Sequence, residues 1–351
     1  MLPAVQAAIT RAWVSGGWVR GALTPISLIY GALTGLQRVA YRAGLLQSSA
    51  LPVPVIVVGN VIAGGAGKTP TVLGVVAHLL AQGHRPGIIS RGYGGSHQEP
   101  TPVTQDSPAA LVGDEPLLLH RKSGVPVVVG RDRVAAGRSL LDLYPGTTHV
   151  VCDDGLQHYR LRRDIEICVF DARGLGNGGL LPAGPLRQAW PRALVATAGQ
   201  AESRTLTLHT GTNTLAGFLA QRSLATTAIN AAGQTTALSS LQRSQRPLHA
   251  VAGIAQPENF FSMLRAQGLT LASTDALPDH YDFHSYSRNK YAGKVLICTE
   301  KDATKLWQHW PDAWSVPLIQ TLPPDFLAAL DTALQDMTHA SVSFPHGHTT
   351  H

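Results

Sequence analysis

The stretch Gly59-Asn-Val-Ile-Ala-Gly-Gly-Ala-Gly-Lys-Thr-Pro70 constrains this chain more than any other, because of what flanks it. Before it runs the apolar, β-branched Val53 to Val58, and after it the sequence predicts a helix over Thr71 to Gln82. Strand, glycine loop, Lys-Thr, helix is the layout of a phosphate-binding loop. Glycines let backbone N–H groups turn toward phosphate oxygens, and the helix N-terminus adds partial positive charge. Lys68 is spaced to reach the β- and γ-phosphates, and Thr69 to offer its hydroxyl to Mg²⁺. The spacing is a variant: the first glycine of G-x-x-x-x-G-K-[ST] falls on Ile62, and Gly59 lies three residues too early. Gly64, Gly65 and Gly67, with Ala66 between them and Pro70 beyond, therefore form the bends of the nucleotide loop. A flexible glycine turn entering a helix is the plainer alternative.

Charge is distributed unevenly. No Asp or Glu precedes Glu99, whereas Arg11, Arg20, Arg38, Arg42, Lys68, Arg85 and Arg91 do, so the excess of +6 comes from the first 98 residues. Such asymmetry calls for an anionic partner, a membrane surface or a nucleic acid. The local sequence selects the membrane and not nucleic acid. Trp13, Trp18, Tyr30 and Tyr41 lie among Leu23, Ile26, Leu28, Ile29, Leu33 and Leu36, as in an interfacial segment over residues 1–45. Its longest uncharged run, Gly21 to Gln37, is short and polar for a spanning helix, and a core-packing helix pair with solvated arginines is the competing reading. No secretory signal is legible, so a cytoplasmic location is expected. Cys152, Cys168 and Cys298 sit in apolar runs and read as buried small hydrophobes. The polar tail, residues 337–351, contains His346, His348 and His351 without metal-binding spacing.

Beyond the basic segment, β-branched runs alternate with helical periodicity. Strands are predicted at Val53–Val58, Gly87–Ser90, Val125–Val129, His149–Cys152, Ile165–Phe170 and Leu194–Ala196, with helices at Thr71–Gln82, Glu115–Lys122 and Arg131–Leu143. That alternation predicts an α/β fold, a parallel sheet covered on both faces, over residues 1–204. Residues 205–247, rich in Ala, Ser, Thr and Gln, read as a connector with strands at Thr205–His209 and Leu224–Ile229. A smaller α/β domain is predicted over 248–336.

Ligands of parallel sheets gather at the C-terminal strand ends, so the residues found there matter most. Asp153 and Asp154 end an apolar strand, where a P-loop enzyme places the carboxylate that holds the Mg²⁺ shell; an Asp-Gly turn is the alternative. Asp114 opens a helix and reads equally well as an N-cap or as the acceptor of a hydroxyl proton. Arg91 and Tyr93, in Ser90-Arg-Gly-Tyr-Gly94, follow another strand, which places Arg91 for phosphate contacts. His280 lies with carboxylates in Pro278-Asp-His-Tyr-Asp-Phe283, a combination suited to acid/base work, and Thr299-Glu-Lys-Asp302 ends a strand facing the nucleotide.

These motifs, in this order, resemble one family over most of the chain. Leu23-Thr-Pro-Ile-Ser-Leu-Ile-Tyr-Gly31, Gly65-Ala-Gly-Lys-Thr-Pro70, Ser90-Arg-Gly-Tyr-Gly94, Gly113-Asp-Glu-Pro116, Asp153-Asp-Gly-Leu-Gln-His158, Leu180-Leu-Pro-Ala-Gly-Pro-Leu-Arg187, Pro278-Asp-His280 and Thr299-Glu-Lys-Asp302 are similar to tetraacyldisaccharide 4'-kinases. The resemblance implies a P-loop NTPase-like domain, a smaller C-terminal α/β domain that closes over the nucleotide, and a two-stranded linker. It implies Mg²⁺-dependent transfer from ATP to the 4'-hydroxyl of an acylated glucosamine disaccharide 1-phosphate in lipid A synthesis, at the cytoplasmic face of the bacterial inner membrane. No obligate protein partner follows from it. In that reading Lys68 and Thr69 serve phosphate and metal, Asp153 and Asp154 the metal, and Asp114 is the base tuned by His280. Arg91 holds substrate or phosphates. Gln188 stands where the family usually has an acid, and Gly253-Ile-Ala-Gln-Pro-Glu258 is a loose form of a family turn. A membrane-bound nucleotide switch and an ATP-dependent ligase of the P-loop class are the rival functions.

Overall fold

The computed structural model describes residue 13 and residues 17–191 and 204–342, except 245, 280, 285, 287–290 and 292, with the side chains of 338–342 left aside. The expected strand Leu194–Ala196 lies outside the described residues. The chain begins with helix α1 (Trp18–Arg42) and strand β1 (Val55–Gly59), followed by α2 (Lys68–Ala81), β2 (Pro86–Ser90) and β3 (Thr101–Pro102). Next come α3 (Ala109–Val112), α4 (Asp114–Ser123), β4 (Val127–Val129), α5 (Arg133–Leu143), β5 (His149–Asp153), β6 (Ile165–Phe170), β7 (Arg204–His209) and β8 (Phe218–Leu219). These strands form one sheet in the order β3-β4-β2-β5-β1-β6-β7-β8, parallel except where β3 meets β4. β1, β2, β5 and β6 are buried along their whole length, which is why their sequences are mostly apolar rather than strictly alternating.

A second sheet is built from β10 (Thr227–Ile229), β11 (Thr235–Ala237), β12 (Leu248–Ala252), β13 (Leu271–Ala276), β14 (Val295–Thr299) and β15 (Trp314–Val316), in the order β11-β10-β15-β14-β12-β13. Helices α6 (Leu238–Arg243), α7 (Pro257–Ala266) and α8 (Glu300–Leu306) accompany it. The chain leaves the first unit along β9 (Gln221–Leu224) and returns along β16 (Leu318–Thr321), and these two crossings pair antiparallel as a ribbon. The last helix, α9 (Pro324–Val342), then packs back on the large sheet, with Phe326, Leu330 and Ala333 in its core and His78 Nε2 2.6 Å from Asp331 Oδ1.

The boundaries therefore differ from those expected. Residues 205–219 supply two strands of the large sheet and not a connector, because β7 pairs with all six residues of β6. The segment 324–336 belongs to the first unit and not the second. The stretch expected as one strand at Leu224–Ile229 divides at Ala225–Thr226 between ribbon and second sheet.

Helix α1 docks by a narrow polar seam. Ser27 is its one buried residue among those described; its hydroxyl donates to Leu180 O (2.9 Å) and accepts from Ala183 N (2.8 Å). The Tyr30 hydroxyl donates to Arg187 O at 2.7 Å. Trp18, Leu28, Ile29, Leu33, Leu36 and Val39 remain exposed, so the reading of this segment as a core-packing helix pair does not hold. No described helix is long and apolar enough to cross a membrane.

Candidate active site

The C-terminal ends of the adjacent strands β2, β5 and β1 deliver Arg91 to Tyr93, Asp153 and Asp154, and the glycine loop to one edge of the sheet. Helix α2 starts at Lys68, three residues before the expected Thr71, so Lys68, Thr69 and Pro70 form its first turn. Proline is tolerated there because the first N–H groups of a helix have no intrahelical acceptor. Gly67 precedes the helix at φ 92°, a conformation open to glycine, and a Cβ there would collide with the Arg222 guanidinium.

Five successive carbonyls of the loop are each held by a side chain. Ala63 O and Gly65 O accept from Arg173 (3.2 and 3.4 Å), Gly64 O from Asn60 Nδ2 (2.9 Å), Ala66 O from Thr210 Oγ1 (2.9 Å) and Arg222 (3.4 Å), and Gly67 O from Thr71 Oγ1 (2.9 Å). In a trans peptide the C=O of one residue and the N–H of the next point in opposite directions. The amides of residues 64–68 therefore point away from these donors. Such a row of directed N–H groups at a helix start is an anion cradle.

Asp153 and Asp154 divide their roles by backbone shape. Asp153 continues β5 and is buried, with Oδ2 accepting from Ser90 Oγ at 3.2 Å, while its Oδ1 is buried without a hydrogen-bond partner. Burial, then the carboxylates of Glu115 and Asp154, push Asp153 up to about 7 against the pull of Lys68. Asp154 turns away in the left-handed region (φ 49°), its carbonyl held by Arg133 Nη2 at 3.3 Å. Its carboxylate lies 3.8 Å from Lys68 Nζ and 3.3 Å from Arg187 Nη1. Burial would raise it, but Lys68 and Arg187 outweigh burial and hold it below the ordinary carboxylate range.

Asp114 is the first residue of α4; Gly113 occupies the cap position and no side chain caps this helix, so the N-cap reading fails. The Asp114 carboxylate instead meets Lys305 Nζ of α8 at 2.6 Å. Two further ion pairs join α4 to α8, Glu115 with Lys301 (3.0 Å) and Lys122 with Glu300. Asp114, Tyr93, Gly113, Lys305 and Gln308 line a cleft of roughly 330 Å³ between the two units. The turn carrying Tyr93 lies directly against this helix start: a Cβ on Gly113 would come within 2.7 Å of Tyr93 O. Arg91 is exposed on the same turn.

His280 lies outside the described residues. Its neighbour Asp279 accepts from Lys301 Nζ at 3.1 Å. Thr299 caps α8, and Asp302 Oδ2 accepts from Gly253 N at 3.0 Å, so the ends of that motif brace two turns while Lys301 reaches the site. Gln188 is buried and accepts from the Tyr159 hydroxyl at 3.1 Å. Sequence reasoning gave no role to Glu115, Arg173, Arg187, Arg222, Lys301 or Lys305. Only the basic residue ending Pro-Leu-Arg187 and the pair Lys301 and Lys305, one helical turn apart, left a local signal.

Asp153 at the end of β5 and Asp154 just beyond it fit a divalent cation that takes most of its ligands from phosphate and water. The partnerless Oδ1 of Asp153 is the acceptor such an ion would use, and no cluster of three or more His, Cys, Asp or Glu ligands occurs among the described residues.

The fold and the sequence are shared with known proteins. The family model described as tetraacyldisaccharide-1-P 4'-kinase matches residues 19–335. Tetraacyldisaccharide 4'-kinase of Acidovorax sp. (strain JS42) is 54% identical over 330 residues, covering 93% of this chain and 94% of the relative. That of Polaromonas naphthalenivorans (strain CJ2) is 48% identical over 348 residues, covering 97% and 98%. Among solved structures, the "apo" form of LpxK from Aquifex aeolicus in complex with ATP superposes with a TM-score of 0.75 at 26% identity, over 91% of this chain and 99% of that one.

Proposed function

The chain belongs to the tetraacyldisaccharide-1-P 4'-kinase family, and we propose that it transfers the ATP γ-phosphate to the 4'-hydroxyl of an acylated glucosamine disaccharide 1-phosphate in lipid A synthesis. The observation that carries this reading beyond membership is a single sheet edge holding both halves of the reaction. The anion cradle of residues 64–68 is the donor half, and the cleft beside Asp114 is the acceptor half. Lys68 and the loop amides bind and orient the triphosphate, which brings its terminal phosphorus toward the cleft. Asp114 takes the 4'-hydroxyl proton on its carboxylate, with His280 as the expected neighbour that tunes it. Tyr93 offers a ring to the sugar, and Arg91 a cation to the substrate phosphate. Mg²⁺, held by Thr69 with Asp153 and Asp154, would neutralise charge developing on the transferring phosphoryl oxygens. With labelled ATP and the acylated disaccharide, Mg²⁺-dependent transfer to the 4'-position is the expected result. ATP hydrolysis indifferent to the disaccharide would instead favour a nucleotide switch.

The substrate's acyl chains call for a membrane location, and the outer face of α1 suits one. Its exposed Trp18, Leu28, Ile29, Leu33 and Leu36 are flanked by Arg20 near one end and by Arg38 and Arg42 at the other. Burying one such apolar side chain is worth about 1.5–3 kcal/mol, and each Arg near an anionic surface about 1 kcal/mol. This favours peripheral docking on the cytoplasmic, anionic face of the inner membrane. Replacing Leu28, Ile29 and Leu36 together by Glu should lower partitioning onto phosphatidylglycerol-containing vesicles by at least roughly tenfold, since only part of the transfer energy need be lost. Unchanged co-sedimentation would remove this face from the account.

A further inference from the structure

Three of the donors on the phosphate loop come from far along the chain, and two of them, Arg173 and Arg222, are tied to the second unit. Arg173, on the turn after β6, grips Ala63 O and Gly65 O while its guanidinium lies on Asp171, with Nε 3.0 Å from both carboxylate oxygens and Nη2 2.7 Å from Oδ2. Asp171 in turn accepts from Gln256 Nε2 at 2.8 Å, and Gln256 is the cap residue of α7 in the second unit. The neighbouring Ala255 Cβ would stand 3.6 Å from a Cβ on Gly65, so this turn lies on the loop itself. On the other side Arg222 leaves the ribbon strand β9, donates to Ala66 O at 3.4 Å, and donates through Nε to Gln320 Oε1 at 3.0 Å. Gln320 belongs to the return strand β16 and donates to Thr71 Oγ1 at 2.7 Å; that hydroxyl donates to Gly67 O. Burial lowers the Arg222 pKa to about 10, which leaves it charged at neutral pH.

We propose that Arg173 and Arg222 are positioning residues that clamp the Ala63, Gly65 and Ala66 carbonyls of the phosphate loop and make its shape depend on the seating of the second unit through Gln256 and Gln320. Each guanidinium fixes a carbonyl direction and so aims the next amide at the nucleotide. A displaced second unit slackens Asp171 through Gln256, and a displaced ribbon withdraws Arg222 and the Gln320 contact together. The clamp thus prepares ATP binding only when the two units are seated. It acts on ground state and transition state alike, because both need the same cradle, and its loss belongs in KM for ATP rather than in kcat.

The inference rests on the kinase reading, and the test separates the two. Arg173→Gln and Arg222→Gln should each raise KM for ATP about tenfold with kcat within about twofold, the size expected for one charged hydrogen-bonding group. The KM for the lipid acceptor should not move. Gln256→Ala, which removes the hydrogen bond to Asp171, should raise KM for ATP roughly threefold, and Arg222→Lys should recover part of the Gln variant's loss. Amide hydrogen exchange at Ala63 and Thr71, whose N–H groups donate to Pro185 O and Gly67 O at the two ends of the loop, should quicken in all of these variants while the β1 and β5 amides keep their protection. Unchanged KM for ATP and unchanged loop exchange in the folded arginine variants would overturn the clamp. A silent Gln256→Ala beside a defective Arg173→Gln would overturn the coupling to the second unit. If an Arg→Gln variant fails to fold, Arg222→Lys and Gln256→Ala decide by the same two readouts. A wild-type chain that binds no ATP would sink the kinase reading, and exchange at the loop would still test the clamp.

Discussion

Asp114→Asn should lose phosphoryl transfer by a factor on the order of 10² or more in kcat while ATP affinity stays near that of the wild type, since general-base removal costs that much. The residue opens α4 without capping it, so its carboxylate is not consumed by the helix's own amides. It is buried and its visible partner is the Lys305 ammonium at 2.6 Å. An amide in its place preserves shape and volume but cannot accept a proton. The substitution also leaves Lys305 facing a neutral partner in a half-enclosed cleft, a cost of about 1–3 kcal/mol in stability. That cost lowers the melting temperature without touching the phosphate loop. Equilibrium binding of a nonhydrolysable ATP analogue together with single-turnover transfer from labelled ATP separates the two effects. Wild-type turnover in Asp114→Asn would end its assignment as base, and equal loss of binding and turnover would make it a structural residue. Lys305→Ala is informative beside it: it keeps the Asp114 carboxylate, so its turnover should fall far less than that of Asp114→Asn.

The parts of this fold that were legible in sequence are those where a strand is covered on both faces. β1, β5, β6, β12 and β14 are buried throughout, so their apolar runs announce them. β7 is only partly covered, and its Arg-Thr-Leu-Thr-Leu-His alternates like a ribbon strand; pairing with β6, which no local pattern records, puts it in the large sheet. The exposed face of α1 carries Trp18, Leu28, Ile29, Leu33 and Leu36, side chains of the kind that fill the core elsewhere, so composition alone could not say which face meets solvent. The seam through Ser27 and Tyr30 decides that, and it depends on a turn more than 150 residues away. The site divides in the same way. Lys68, Asp114 and the Asp153-Asp154 pair sit in short motifs whose spacing carries their chemistry. Arg173, Arg222 and Lys305 act across separations of 108 or more residues, on carbonyls or carboxylates that any basic residue could approach. Only the folded arrangement selects them.

Lys68→Ala should be the most damaging change in the donor half, reducing transfer on the order of 10²–10³-fold, the usual cost of deleting one preorganised electrostatic group. Its effect should also acquire a pH dependence that simple loss of a phosphate contact would not. Lys68 is one of the cations that restrain both Asp153 and Asp154. Without it both carboxyl groups hold their protons to higher pH, and a protonated carboxyl does not ligate Mg²⁺. The residual transfer of Lys68→Ala should therefore rise between about pH 6 and about pH 9 more steeply than that of the wild type. The metal-free protein offers an independent reading. Asp153 in the folded state sits near 7, above the ordinary carboxylate value, so the folded chain binds more protons than the unfolded one in that interval. This group's contribution to stability falls as pH rises through the interval and levels once both states are ionised. Removing Lys68 lifts the upper limit, so the decline should continue above pH 7 in Lys68→Ala where the wild type's contribution from this group has levelled. Lys68→Arg keeps the charge but not the compact ammonium, and should restore the wild-type pH profile while leaving transfer impaired. A pH-independent defect in Lys68→Ala, with wild-type thermal stability across the range, would mean that Lys68 acts on phosphate alone and that Arg187 suffices to keep Asp154 ionised.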